Sequence, residues 1–294
     1  MTGTTQLVAG MSPVSRAWAA AGWFTLLFLL LYGFVLERLT DQWFNDLDMS
    51  HGPFVPIFAG YVFWTMRDSI LASPARPSYW GIVPMILGFL LLCSGPPSLP
   101  TFAFLSRVSL LLSLLGLITL LRGTPTIRAA AYPLGLMLFA IPLPGFIYER
   151  ITLPLQLGAS QISEFFLTTL GYSVLREGNI LHLPRQAVAV AEACSGLRSL
   201  LSLLFLSQVY AFLFDSRPWM RAFLAIAMVP LAVLANAGRI TFVAAMGQTT
   251  DAWFEGTLHD STAWVIFVVA FAALICVHAA ANQVTARLKP IIGR

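Results

Sequence analysis

Charge is scarce in this chain. Only 10% of its 294 residues are Asp, Glu, Lys or Arg, while 58% are hydrophobic; a soluble domain carries about a quarter charged residues. Too little polar surface remains to cover a globule of this size in water, so the bulk of the chain is expected in lipid. Lysine is nearly missing: the net charge of +4 rests on sixteen arginines and the single Lys289. They are spread thinly, and without a basic cluster no nucleic-acid partner is expected. Cysteine is rare too. Cys93, Cys194 and Cys276 stand far apart, with no CxxC pair and no Cys/His ligand spacing. That argues against a disulfide framework and a structural zinc site, and no metal or other cofactor is expected. Cys93 and Cys276 lie inside apolar runs and read as small buried hydrophobes. There is no internal repeat and no low-complexity tract, so residues 1–294 read as one polytopic membrane domain.

What the chain has instead is long apolar runs. Eight approach the roughly 20 residues that cross a bilayer: 17–36, 53–72, 79–95, 103–121, 129–148, 195–214, 222–246 and 262–283. The second is interrupted by Arg67 and Asp68. The first lacks a small-residue cleavage site and reads as a retained span, not a signal peptide. With the N-terminus inside, ten basic residues fall on inner segments and five (Arg38, Arg107, Arg150, Arg176 and Arg185) on the longer outer ones. The positive-inside rule therefore gives N-in, C-in and eight crossings. The acids agree, with Asp68 and Asp215 inside and eleven outside. Cys194 then lies at the outer membrane surface.

Segment 149–193 reads as an outer cap. ERITLPLQLGASQISEFFLTTLG is amphipathic, with Leu155, Ile162, Phe166 and Leu170 on one side and Gln156, Ser160, Ser163 and Glu164 on another. That pattern suits a helix lying in the interface. If it crosses instead, every later assignment inverts. YSVLREGNILHLPRQAVAVAEA alternates, is rich in β-branched residues and carries turn signals at REGN and LPRQ, as a small β-hairpin would. Such backbone cannot face lipid. The fold class is therefore all-α integral membrane: about eight transmembrane helices, with an outer amphipathic helix and a small β-hairpin before the sixth span.

Polar residues inside apolar runs are the informative ones, because an arginine at mid-helix costs about 2.5–3.5 kcal/mol on insertion scales. Two such arginines occur. Arg198 follows Cys194 by four residues, which places it on the same helical face one turn deeper. Arg239 sits in LAVLANAGRITFVAAMG among Ala235, Asn236, Ala237 and Gly238, small enough for another helix to approach. Both can also be read as arginines snorkelling to the interface. His51 opens the second span and His259 the eighth, both at the outer surface. His182 reads as a surface residue and His278 as a buried or interfacial one.

Cys194, Arg198, Arg239, His259 and His51 thus share one leaflet although they are scattered in sequence. A cysteine nucleophile needs such company. A helix N-terminus favours the thiolate, arginine stabilises a thiolate or oxyanion, and histidine relays the proton. A carboxylate beside the thiol would oppose the thiolate, so Glu192 is expected to turn toward an arginine.

AEACSGLRSL (191–200) resembles the signature of the exosortase/archaeosortase family, as do NAGRI (236–240), LHDSTAWVIF (258–267) and SHGPFVPIFAGYVFW (50–64). Their order and span positions match over roughly residues 45–270. The resemblance implies a membrane cysteine transpeptidase analogous to sortases by convergence. It would act on exported proteins with a C-terminal tripartite signal: a short motif such as Pro-Glu-Pro, a transmembrane helix and a basic tail. Cleavage would fall on the outer side of a bacterial inner membrane, followed by transfer to an acceptor nucleophile that the sequence does not name. Such systems often accompany exopolysaccharide production. The implied triad is Cys194, Arg239 and His259, with Arg198, His51, Glu192 and Asn236 as secondary candidates.

Three rivals make different demands. A transporter or exopolysaccharide-export subunit would use Arg198 and Arg239 to bind an anionic substrate, but the chain shows no inverted repeat and no paired broken helices. A quinone-linked thiol oxidoreductase calls for cysteine pairs. A structural assembly scaffold explains neither arginine.

Overall fold

The computed structural model describes residues 13–96, 99–190, 196–250, 253 and 257–292. The chain folds into helices α1 (Pro13–Asn45), α2 (Phe54–Ala72), α3 (Ile82–Leu92), α4 (Pro100–Leu121), α5 (Thr124–Ala129), α6 (Ala131–Leu136) and α7 (Gly145–Thr169). Strands β1 (Leu175–Glu177), β2 (Ile180–His182) and β3 (Ala187–Ala189) follow, then α8 (Gly196–Phe214), α9 (Pro218–Gly247) and α10 (Thr257–Ile292). Three helices among the described residues are long and apolar enough to cross a membrane: α4, α9 and the Ser261–Arg287 part of α10. The protein is a multi-pass membrane protein, mostly helical with one small sheet.

By Cα packing the chain forms two compact units. The first comprises residues 1–46 and 66–131. Its centre is the α3–α4 pair, which small residues bring together. A Cβ on Gly116 would lie 2.5 Å from Met85 Cγ and 2.7 Å from the Gly81 carbonyl. Helices in lipid gain little from hydrophobicity, so this close approach is a main source of their attraction. On α1, the fully buried Tyr32 donates to the Ser109 carbonyl at 3.1 Å and lies 2.7 Å from Ser113 Oγ. Gly116→Leu is expected to force these helices apart and cost about 1–3 kcal/mol, the usual penalty of overpacking. Thermal unfolding in detergent checks it against Gly60→Leu, whose Cβ meets nothing within 4 Å.

The second unit comprises residues 47–65 and 132–294. Leu200, Leu203, Met220, Leu224, Met228, Ala270 and Leu274 make a buried core shared by α8, α9 and α10. A second core joins α7, the sheet and the last turns of α9 through Leu167, Leu181, Val188, Val190, Ala237 and Ile240. The sheet is an antiparallel meander in the order β1-β2-β3, with Arg176 opposite Leu181 and Leu181 opposite Val188. It is tied down by Ser160 Oγ to the Gly178 carbonyl at 3.0 Å, Arg176 Nε to Glu164 at 2.7 Å and Arg185 to the Gln248 carbonyl at 3.1 Å.

Four sequence expectations change. The run 129–148 is not one continuous helix: α6 gives way to a 3₁₀ turn at Met137–Ala140, and α7 starts only at Gly145. Pro142 and Pro144 cause the break, since proline removes the helical donor and pushes its predecessor to extended backbone. The two pieces meet at 91°, a broken span or a re-entrant loop. The amphipathic helix expected over 149–171 therefore begins earlier, at Gly145, and runs on through Pro154 to Thr169. The hairpin gains a third strand, because Ala187–Ala189 pairs with β2. Finally, Cys93 and Cys276 are exposed, not buried. An apolar run in a membrane helix needs no cover from protein, because lipid supplies it.

Candidate functional site

The candidate residues lie in the second unit. The segment before α8 holds Glu192 and Cys194, which lie outside the described residues. Arg198 is placed by its helix, in the first turn of α8. One turn further on, Ser202 Oγ lies 3.3 Å from Nδ1 of His51. His51 sits in the tight turn that leads into α2, closed by the Gly52 amide donating to the Met49 carbonyl at 2.7 Å and the Phe54 amide to the His51 carbonyl at 3.1 Å. Its ring is 7% exposed, and Nε2 has no hydrogen-bond partner among the described residues. Burial holds this imidazole below its ordinary range, with the Phe139 backbone pulling weakly the other way. His51 is therefore neutral at pH 7.

That direction has a consequence for stability. In the unfolded chain His51 binds a proton as pH falls through about 6.5, while the folded imidazole stays neutral until its own lower value is reached. Over that window the unfolded state holds more protons, so stability is lost as the pH is lowered. His51→Gln is expected to flatten the fall, as a pH series of unfolding midpoints in detergent will show.

Arg239 is buried on α9, and its Nε donates to Thr262 Oγ1 at 2.9 Å. Thr262, also buried, lies on α10 one turn after His259. The fold thus carries the arginine to the helix of the histidine, which follows it by 20 residues in the chain. His259 itself is placed by its helix. The small residues around Arg239 explain the approach: Ala237 is fully buried, and its carbonyl accepts from Ser163 Oγ of α7 at 3.0 Å.

Asn236, one turn before Arg239, lines a small cavity of about 20 Å³ with Thr152, Gln156, Leu200 and Ala232. Gln156 Oε1 accepts from Asn179 at 3.1 Å, which links this cavity to the turn between β1 and β2. A much larger groove of about 1190 Å³ opens between α2, α8 and α10. Its walls are mostly apolar, among them Phe58, Phe205, Val209, Trp264 and Phe267, while Ser50, His51 and Ser202 form its polar end. Among the described residues no three His, Cys, Asp or Glu side chains converge as a metal site would require.

A family model described as transmembrane exosortase matches residues 43–276. The chain belongs to the exosortase family. The comparison with curated proteins returned no match, nor did that with solved structures. The match spans every candidate residue, from His51 to His259. Sequence reasoning missed two hydroxyls that contact candidate residues, Ser202 at His51 and Thr262 at Arg239. A signal for each was present: Ser202 stands four residues after Arg198, and Thr262 three after His259, both same-face spacings.

Proposed function

We propose that this exosortase-family protein is a cysteine transpeptidase that cuts C-terminal sorting signals of exported proteins and passes the cut protein to an acceptor. One observation carries the reading: the buried Arg239 is hydrogen-bonded into the helix of His259, one turn from it, inside a region matched throughout by the family model. A buried guanidinium held at a fixed place is suited to meet developing negative charge.

In this reading Cys194 is the nucleophile. His259 accepts the thiol proton as sulfur bonds to the scissile carbonyl carbon, and Arg239 stabilises the resulting oxyanion. The C–N bond then breaks, and the imidazolium returns its proton to the leaving amine. The product is a thioester, with the excised membrane helix and basic tail released as an amine. An acceptor amine or hydroxyl, or water, deprotonated by His259, attacks the thioester and restores the thiol. The substrate's bond lies at the outer membrane surface, where the cysteine block begins the sixth apolar run.

Asn236, one turn before Arg239, and Gln156 border the cavity of about 20 Å³, room for a single water. Arg198, one turn into α8, is the second cation available to the oxyanion or to Glu192. The topology proposed with this reading keeps both termini inside. The test is the mass of a tail-bearing substrate co-expressed with wild-type or variant protein.

A further inference from the structure

A second polar cluster lies at the opposite end of α8 from the cysteine block. Asp215, in the turn between α8 and α9, is 8% exposed, and His278 of α10 is 6% exposed. Arg217 grips the Asp215 carboxylate, through Nε at 2.9 Å and through Nη2, and also reaches Asn282 Oδ1. His278 Nε2 lies 3.0 Å from Asp215 Oδ2, and Tyr210 of α8 lies 2.8 Å from His278 Nδ1. Asn282 Nδ2 lies 3.0 Å from the same Nε2, so both ring nitrogens are engaged. Arg221 adds a bond from Nε to the Asp215 carbonyl at 3.0 Å. The hydrogen bonds from Arg217 hold the Asp215 carboxyl well below the usual carboxylate range. The mechanism above uses none of these groups.

The cluster joins three helices that relate to the proposed triad at similar sequence distances: α9 carries Arg239, α10 carries His259, and the cysteine block precedes α8 in sequence. Asp215 follows Cys194 by 21 residues, Arg239 follows Arg217 by 22, and His278 and Asn282 follow His259 by 19 and 23. At about 1.5 Å per helical residue each interval spans roughly 30 Å. We infer that the Asp215–Arg217–His278–Asn282 cluster is a register pin that positions Cys194, Arg239 and His259 at one depth from the far side of the membrane.

The physical need is clear. Apolar helices in lipid slide at little cost, since lipid is as apolar as a neighbouring helix. A one-residue slip moves a side chain about 1.5 Å along the axis and turns it by about 100°, while catalytic geometry tolerates about 0.5 Å. Slipping here would leave a buried carboxylate without its partners, a strongly destabilising change. A buried polar contact that fixes register is the best-attested use of such groups. These four are positioning residues, and the inference rests on the reading proposed above.

The test uses the full chain in membranes, with Cys93→Ala and Cys276→Ala removing the other thiols and His259→Cys added to the native Cys194. A short bifunctional thiol reagent is expected to link 194 to 259 in most molecules. With His278→Ala the yield is expected to fall at least threefold, and His278→Gln, which keeps a donor for Asp215, is expected to restore it. In the chain that retains His259, His278→Ala is expected to lower kcat on the order of 10²-fold, the usual cost of a 1 Å misplacement, with KM little changed. If His278→Ala folds and leaves both cross-linking and kcat unchanged, the pin is overturned and the triad stands. If no cross-link forms with the cluster intact, the triad reading fails and takes the pin with it. Should His278→Ala not fold, Tyr210→Phe, which removes one hydroxyl, carries the same comparison.

Discussion

In cells that co-express a tail-bearing substrate, Cys194→Ala is expected to leave that substrate at full length while the wild-type protein shortens it. Removing the nucleophile of a covalent mechanism costs on the order of 10⁶-fold in turnover, which in a co-expression experiment reads as no product. Mass spectrometry of the substrate decides it, because the shortened species ends at one defined peptide bond. Cys194→Ser sharpens the result. A hydroxyl in place of the thiol keeps the shape but is far less ionised near neutral pH, so it too is expected to be inactive, and it should hold uncut substrate. Full cleavage by Cys194→Ala would remove the cysteine from the mechanism. The transporter or export-subunit reading would then lead, since it asks nothing of the thiol.

Of the eight apolar runs, three correspond to single helices long and apolar enough to cross a membrane among the described residues. α4, α9 and α10 are long and apolar enough that hydropathy alone locates them. The run 129–148 failed because its overall apolar character conceals two prolines, and it is the prolines that set the backbone. The third strand was missed because Ala187–Ala189 has no pattern of its own; its pairing with β2 decides it. Cys93 and Cys276 were misjudged because hydropathy does not distinguish a neighbour made of protein from one made of lipid. For the site, span order leads to the expectation that His51, Arg239 and His259 share one leaflet. Ser202 and Thr262 escaped notice because a hydroxyl in a membrane helix ordinarily satisfies itself on its own backbone. Only packing reveals that Thr262 Oγ1 serves Arg239. Cys194 and Glu192 lie outside the described residues, so their proposed roles rest on the sequence motif.

Arg239→Ala is expected to give the second largest loss. If the guanidinium meets the oxyanion, its removal costs on the order of 10²–10³-fold in kcat, as for a single oxyanion donor, and a correspondingly slow shortening of the substrate. Arg239→Lys separates charge from geometry. Lysine keeps the positive charge but has no planar fork to hold Thr262 with one nitrogen and present others to substrate, so it is expected to recover little. Thr262→Val, which deletes the acceptor 2.9 Å from Nε, tests the positioning alone and is expected to cost less than either arginine change. Misfolding would give the same ranking, because Arg239→Ala also strands buried polar groups at about 1–3 kcal/mol each. Thermal unfolding in detergent separates the two: a folded variant still unfolds in one cooperative transition while turnover falls, whereas a misfolded one shows none. Wild-type turnover in a folded Arg239→Ala protein would leave the buried arginine a structural tie between α9 and α10, and the oxyanion would have to be met by Arg198.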